Sequence, residues 1–387
     1  MYEITKKERE HFMKKLKLFR KIKSILSILL ISLLIIPLCS GIGIHAKEKN
    51  TESNEYKIYP IPHSVVYDNE QFVMSDRVHV VFEEGIDKAT QNFLEEVITD
   101  YGKTVVHSEE IVNGETTILL GIKGSNGKAD SYINKNTTIK TSDLFNRTDS
   151  YILSAKENII SIVGKDTDST FFGIATLQMM LTSYEDPALR SVQIEDFSDI
   201  QYRGFIEGFY GGWDYKSRES LMRFARDVKM NHYIYASKTD PYHTSKWGEL
   251  YPQSEIDQIQ KLVKVGEKTK CYYTWSVHIS GFFTNLDTSN ETAYNERYQK
   301  LLAKFRQLYD AGVRKFDILN DDFGQGTHED VVNLLNKLTK EFIIPNNCKP
   351  ITYCMQGYNK AWSKEAELSA LKKLDKSIIL YWTGDDV

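Results

Sequence analysis

Cysteine is scarce in this sequence: four occur in 387 residues. Once a leader ending near Ala46 is set aside, Cys271, Cys348 and Cys354 remain. An odd number in a large exported chain argues against a disulfide framework, and no pair has the close spacing of a zinc site. An excess of one charge sign is also lacking, since 49 Lys and Arg stand against 53 Asp and Glu. Nucleic acid is therefore not an expected partner, because phosphate binding needs a concentrated basic face. Neither a glycine-rich dinucleotide fingerprint nor a P-loop is present. The sequence predicts no cofactor and no metal. The apolar run at residues 25–38 falls short of the roughly 20 residues of a membrane span.

What is present begins with that run. Lys14, Lys15, Lys17, Arg20, Lys21 and Lys23 precede it, and small or weakly polar residues follow up to Ala46. This is the three-part pattern of a secretory signal, with Ile44 and Ala46 at plausible cleavage positions. Residues 1–46 are expected to be a signal peptide or signal anchor, giving a secreted or cell-surface protein whose membrane contact is limited to that anchor. Met13 begins a more typical signal than Met1. Residues 47–55 are polar and read as a linker. Aromatic residues make up 12% of the chain, including 23 Tyr, which suits a sugar-binding cleft or reflects nucleotide bias alone.

From residue 56 the texture is globular. Residues 78–82, 117–122, 151–153 and 159–163 read as strands, and residues 88–101 and 169–181 as helices. This order predicts a small α+β domain over residues 56–196. After Gln201 the rhythm changes. Six short apolar or aromatic runs, at 202–207, 232–236, 271–276, 315–319, 351–355 and 377–382, alternate with helical stretches at 217–228, 255–268, 295–311 and 329–342. Strands alternating with helices predict parallel strands with crossover helices. About six βα units are visible, so the expected fold class is α/β: a (β/α)₈-type barrel over residues 197–387, C-terminally truncated after about six βα units and preceded by the small α+β domain.

In such a barrel the chemistry sits where the strands end, and the unusual residues cluster there. Adjacent carboxylates Asp321 and Asp322 follow the fourth run. Side chains alternate along a strand, so the two can share a pocket only where strand gives way to loop. Held close, they push one pKa up and yield a proton donor and an anion from like residues; a solvated turn or helix cap would use the same dipeptide. Lys238, with Asp240 and His243, ends the second run, either donating to sugar hydroxyls or pairing with Asp240. Asp240 and His243 are of metal-ligand type, but no third ligand has a recognisable spacing. Gly208 and Gly211 flank Phe209 and Tyr210 at the end of the first run, permitting close backbone approach to a ligand or a tight turn.

Three segments together resemble glycoside hydrolase family 84, the β-N-acetylglucosaminidases. They are Tyr202-Arg-Gly-Phe-Ile-Glu-Gly-Phe-Tyr-Gly211, Tyr233-Ile-Tyr-Ala-Ser-Lys-Thr-Asp-Pro-Tyr-His243 and Asp321-Asp322, with weaker support from Tyr358 and Trp382-Thr-Gly384. The resemblance spans most of residues 57–387. It implies a retaining, substrate-assisted hydrolase in which the substrate's acetamide oxygen attacks the anomeric carbon to form an oxazoline, unlike the scheme with a carboxylate nucleophile. Carried over by position, Asp321 would hold the acetamide N–H and Asp322 would be the acid and then the base. The Gly208 carbonyl and Lys238 would hold sugar hydroxyls, while Tyr358 and Trp382 would shape the N-acetyl pocket with Cys354 on its wall. The implied partner is a glycan, glycoprotein or glycosaminoglycan, some relatives being called hyaluronidases.

The chain departs from the family pattern in several places. Gly212-Trp213 stands where Pro-Trp is usual, Ser237 replaces a Pro, Thr239 replaces an Asp, and Met355-Gln-Gly-Tyr358 replaces Pro-Thr-Glu-Tyr. The sequence stops directly after the sixth run, so an incomplete barrel is expected, with unpaired edges. The alternative function from another class is a truncated, non-catalytic carbohydrate-binding pseudoenzyme.

Overall fold

The computed structural model describes residues 55–183, 187–321 and 326–383. The expected leader, most of the linker, and Asp322 and Gly384 lie outside the described residues. No helix among the described residues is long and apolar enough to cross a membrane.

Residues 64–198 build a seven-stranded mixed sheet from β1 (Ser64–Val73), β2 (Arg77–Phe82), β3 (Thr104–His107), β4 (Thr116–Ile122), β5 (Thr148–Lys156), β6 (Ile159–Gly164) and β7 (Ala188–Ser198), in the order β1-β7-β5-β6-β4-β2-β3. Alternation along the strands supplies two cores, one on each face. Val80, Ile118, Leu120 and Ile162 pack with Phe93 and Phe171 of the helices Lys88–Asp100 and Thr167–Thr182. Their chain neighbours Val81, Leu119 and Val163 face the other way, against Ala129 and Ile133 of the helix Lys128–Asn136. Asp87 and Asp166 cap the first and last of these helices, accepting from Thr90 N and Ser169 N at 2.8 Å.

The sequence pattern finds four of these seven strands and two of the three helices. β7 is hidden by Glu195 and Asp196, both buried. Glu195 accepts the backbone N–H groups of Lys140 and Thr141, each at 2.7 Å, and Asp196 meets Lys229 at 2.8 Å. Residues so distant in the chain leave no periodic trace.

The second sheet is wholly parallel. Its strands β8 (Gly204–Glu207), β9 (His232–Tyr235), β10 (Tyr272–His278), β11 (Lys315–Leu319), β12 (Thr352–Cys354) and β13 (Ile379–Tyr381) are hydrogen-bonded in chain order. Each of the six apolar runs yields one strand. The crossover helices are Tyr215–Asp227, Gln253–Thr269, Glu291–Asp310, His328–Leu338 and Glu365–Leu371, the last too short at seven residues to show a helical period. One face of the sheet buries Tyr233, Trp275, Phe316 and Ile318 against these helices. The other carries Ala236, Leu319 and Cys354 as a separate small cluster, packed by Tyr358 and Tyr381. The fold class is the one expected: barrel-type βα units preceded by an α/β-mixed sheet.

Ion pairs join the two sheets. Lys229 Nζ reaches Asp196 Oδ2 and Tyr151 OH, both at 2.8 Å and all buried. Burial pulls the Lys229 ammonium below its ordinary range, while the same pair holds Asp196 below the usual carboxylate range against its burial. Arg203 meets Asp149 at 2.6 Å, and Lys270 meets Asp168 at 2.8 Å.

Candidate active site

The C-terminal ends of the strands of the second sheet carry the candidate residues that are described. At β8, the last residue, Glu207, is fully buried. Its carboxylate takes Arg218 Nε and Nη2 at 2.8 Å each, Trp213 N at 2.9 Å and Tyr233 OH at 2.5 Å. Burial opposes the Arg218 charge, but the bonds to Glu207 outweigh it and hold the guanidinium above its ordinary value. This fixed end presents Gly208, which is exposed. A Cβ on Gly208 would meet only Ile206 side-chain carbons, at 3.6 and 3.7 Å, so neither strain nor crowding requires glycine there.

The loop after β9 is bonded to the loop after β8. Lys238 N donates to Phe209 O and Ala236 N to Glu207 O, each at 3.2 Å. Three departures from the family pattern meet here. Ser237 Oγ and Thr239 Oγ1 lie 2.9 Å apart, and a Cβ on Gly212 would come within 2.6 and 2.9 Å of them. Glycine at 212 and small hydroxyls at 237 and 239 therefore form one mutually adapted contact. The alternative ion pair between Lys238 and Asp240 does not form. Asp240 is taken by Tyr242 N at 2.8 Å, Tyr235 OH at 3.0 Å and Tyr251 OH at 2.6 Å. Among the described residues no ion pair engages Lys238, whose ammonium remains available to a ligand. His243 is fully buried with Nδ1 2.9 Å from Ser276 O; burial pulls its imidazole down to about 4, so it is neutral at physiological pH.

β11 carries the central carboxylate. Asn320 N still bonds Cys354 O of β12 at 3.0 Å, and the chain turns at Asp321. The Asp321 side chain is 22% exposed, yet its Oδ1 is buried and has no hydrogen-bond partner among the described residues. A buried acceptor without a donor is costly, and an amide N–H from a ligand would satisfy it. His278, at the end of β10, lies with Nε2 2.9 Å from the Asp321 backbone carbonyl and Nδ1 2.9 Å from Ser280 Oγ, which fixes the turn.

Cys354 and Tyr358 belong to the small cluster under this turn, with Leu319 two residues before Asp321. Tyr358 meets Trp362 edge-on at 4.9 Å. Its loop is held by the buried Glu367, which accepts Gln356 N at 3.0 Å and Gly357 N at 2.9 Å. Trp382 follows β13 and is 40% exposed. Cys354 and Tyr358 are thus brought together near Asp321, and Gly208 and Lys238 are joined to each other across the ends of β8 and β9. Asp322 lies outside the described residues.

Sequence reasoning missed three residues that hold these strand ends. Glu207 stood within a quoted motif without a role, and Arg218 carries no local signal. His278 ends an apolar run as Lys238 does, a parallel that could have flagged it.

Comparisons with known proteins agree with this geometry. A family model described as beta-N-acetylglucosaminidase matches residues 203–387, and one described as glycosyl hydrolase family 20, domain 2, matches residues 55–197. Protein O-GlcNAcase of Rattus norvegicus is 26% identical over 201 residues, covering 48% of this chain and 21% of that protein. The Mus musculus protein of the same name is 28% identical over 120 residues, 31% of this chain and 12% of that protein. Two solved structures, CpGH84D and CpGH84B, superpose with TM-scores of 0.79 and 0.74 at 38% and 28% identity. Each covers 86% of this chain, which in turn spans 56% and 57% of theirs. The chain therefore spans about a fifth or less of those curated relatives and a little over half of those structures. With the strand-end motifs assembled on one edge of a parallel sheet and these matches along both sheets, the chain belongs to glycoside hydrolase family 84.

Proposed function

We propose that this protein hydrolyses terminal β-linked N-acetylglucosamine with retention, using the substrate's acetamide as the nucleophile. The observation that carries the reading is the Asp321 carboxylate at the end of β11, whose buried Oδ1 accepts no hydrogen bond among the described residues, His278 Nε2 standing off at 3.8 Å. An acetamide N–H supplies the missing donor, and the carboxylate then stabilises the positive charge that develops as the oxazoline closes. Asp322 protonates the leaving oxygen and afterwards activates water. The Lys238 ammonium and the Gly208 carbonyl hold sugar hydroxyls, and Tyr358, Trp382 and Cys354 surround the N-acetyl group. The substrate class is a glycan, glycoprotein or glycosaminoglycan, reached outside the cell after export by the N-terminal segment.

The test is turnover of a chromogenic aryl β-N-acetylglucosaminide by the full chain, with inhibition by a thiazoline mimic of the oxazoline. A site complementary to a cyclised transition state binds its analogue far tighter than substrate. Turnover with strong thiazoline inhibition is expected. Thiazoline binding without turnover would favour a non-catalytic carbohydrate-binding protein, and binding no better than free N-acetylglucosamine would exclude the neighbouring-group route.

A further inference from the structure

The face of the second sheet that carries the candidate site holds one carboxyl with no assigned role. Asp317 lies in the middle of β11, fully buried. It shares the face of Leu319 and Asp321, its chain neighbours Phe316 and Ile318 packing into the helix-side core. Thr352 Oγ1 of β12 bonds its Oδ1 at 2.6 Å, and Tyr381 OH of β13 bonds its Oδ2 at 3.1 Å. One side chain therefore joins three neighbouring strands. These are the strands that end in Asp321, in the Cys354 to Tyr358 wall and in Trp382.

Among the described residues no ion pair engages Asp317. Ser276 stands opposite it on β10, with His278 one pair further along; β12 contributes Thr352 and the Cys354 thiol, and β13 the Tyr381 phenol. On its own strand the nearest charged residues on this face are Lys315, which forms no ion pair with it, and Asp321. Burying a carboxyl without a cation is expensive. Burial, together with the nearby Asp321 charge, pushes Asp317 up to about 7 in spite of the two hydroxyl bonds.

We propose that Asp317 is the third carboxyl of this site: a positioning residue that ties β11, β12 and β13 together beneath the pocket and sets the charge behind Asp321. The inference rests on the function proposed above. Neutral, Asp317 is a cross-link. Ionised, it adds a second negative charge on the side from which Asp321 faces the cationic, oxazoline-forming transition state, without touching substrate itself. The two consequences of ionisation have opposite signs. The transition state gains, and the fold loses, because a carboxyl raised in the folded state withdraws stability as pH rises through its folded value.

The experiment compares wild type, Asp317→Asn and Asp317→Ala as full chains on an activated aryl β-N-acetylglucosaminide from pH 5.5 to 8.5, with melting curves over the same range. The wild-type to Asp317→Asn ratio of kcat should rise about tenfold across that interval, the size expected of a unit charge roughly 10 Å from a developing cation within a protein. Over the same interval the wild-type melting temperature should fall relative to that of Asp317→Asn. Asp317→Ala, which loses the cross-link as well, should raise KM several-fold, and Asp317→Asn should restore it. A flat kcat ratio overturns the inference even if the melting curves diverge. If the wild type has no turnover, the proposed function fails and the melting curves alone decide the charge assignment: divergence keeps it and parallel curves overturn it.

Discussion

The two sheets of this protein use polar residues in contrasting ways. In the first, the buried charged groups are structural fastenings, although Glu95 Oε1, Ser150 Oγ, Gln178 Oε1 and Ser191 Oγ lack hydrogen-bond partners among the described residues. Glu195 closes on two backbone N–H groups, and Tyr151 OH joins Thr176 and Asp196. In the second sheet the helix face is largely apolar apart from the Glu207–Arg218 pair, while the opposite face carries Thr274, Ser276, His278, Asp317 and Thr352, all buried. Several polar atoms at its upper edge lack partners among the described residues, including Asp321 Oδ1, Asn320 Oδ1 and His243 Nε2. The difference lies in place: the first sheet's unpartnered atoms are scattered over separate strands and helices, whereas Asn320 and Asp321 are adjacent at one strand end, where the proposed ligand would satisfy them.

The comparison can be broken most severely at the joint between the sheets. Lys229→Met should cost roughly 3–5 kcal/mol in chemical denaturation, because it leaves the buried Asp196 without its cation. Adding Asp196→Asn should recover much of that loss, whereas equal instability of single and double variants would show that the pair is not what fastens the sheets. Arg218→Met is the next largest effect, roughly 3 kcal/mol by the same reasoning at Glu207. It should also depress turnover, since Glu207 immediately precedes Gly208. A stability loss with unchanged kcat/KM would separate the clamp from the site.

His278→Gln sharpens the contrast from the other side. The imidazole bonds a backbone carbonyl at the turn, so stability should fall by only about 1 kcal/mol, while misplacement of Asp321 by about 1 Å costs on the order of a hundredfold in rate. Comparable small losses in both would argue that the turn holds itself. The smallest effect belongs to Gly208→Ala. With no close contact awaiting a Cβ, melting should shift negligibly, and substrate affinity should be retained if only the backbone carbonyl is used.

Much of the second sheet was legible because its strands are short apolar runs with buried faces, and periodicity reports burial directly. The site was legible where it breaks that pattern: Asp321, Lys238 and Gly208 stand at the ends of runs. The first sheet was harder to read. β1 and β7 alternate imperfectly, and the buried charges of β7 are explained only by Lys140, Thr141 and Lys229, contacts that folding creates. Arg218 was invisible for the same reason, since an arginine on an amphipathic helix looks solvent-facing until Glu207 is found beneath it. The departures at Gly212, Ser237 and Thr239 are separate positions in the sequence, and in the fold they are one contact.

The most direct test of the proposed chemistry separates the paired carboxylates. Full-length Asp321→Ala and Asp322→Ala are compared on two β-N-acetylglucosaminides, one with an activated aryl leaving group and one with a poor leaving group. An acid is dispensable when the leaving group needs little protonation, so Asp322→Ala should retain much of its rate on the first and lose most of it on the second. Asp321→Ala should fail on both, because acetamide positioning is required whatever departs. Equal losses for the two variants on both substrates would contradict the division of roles on which the account depends.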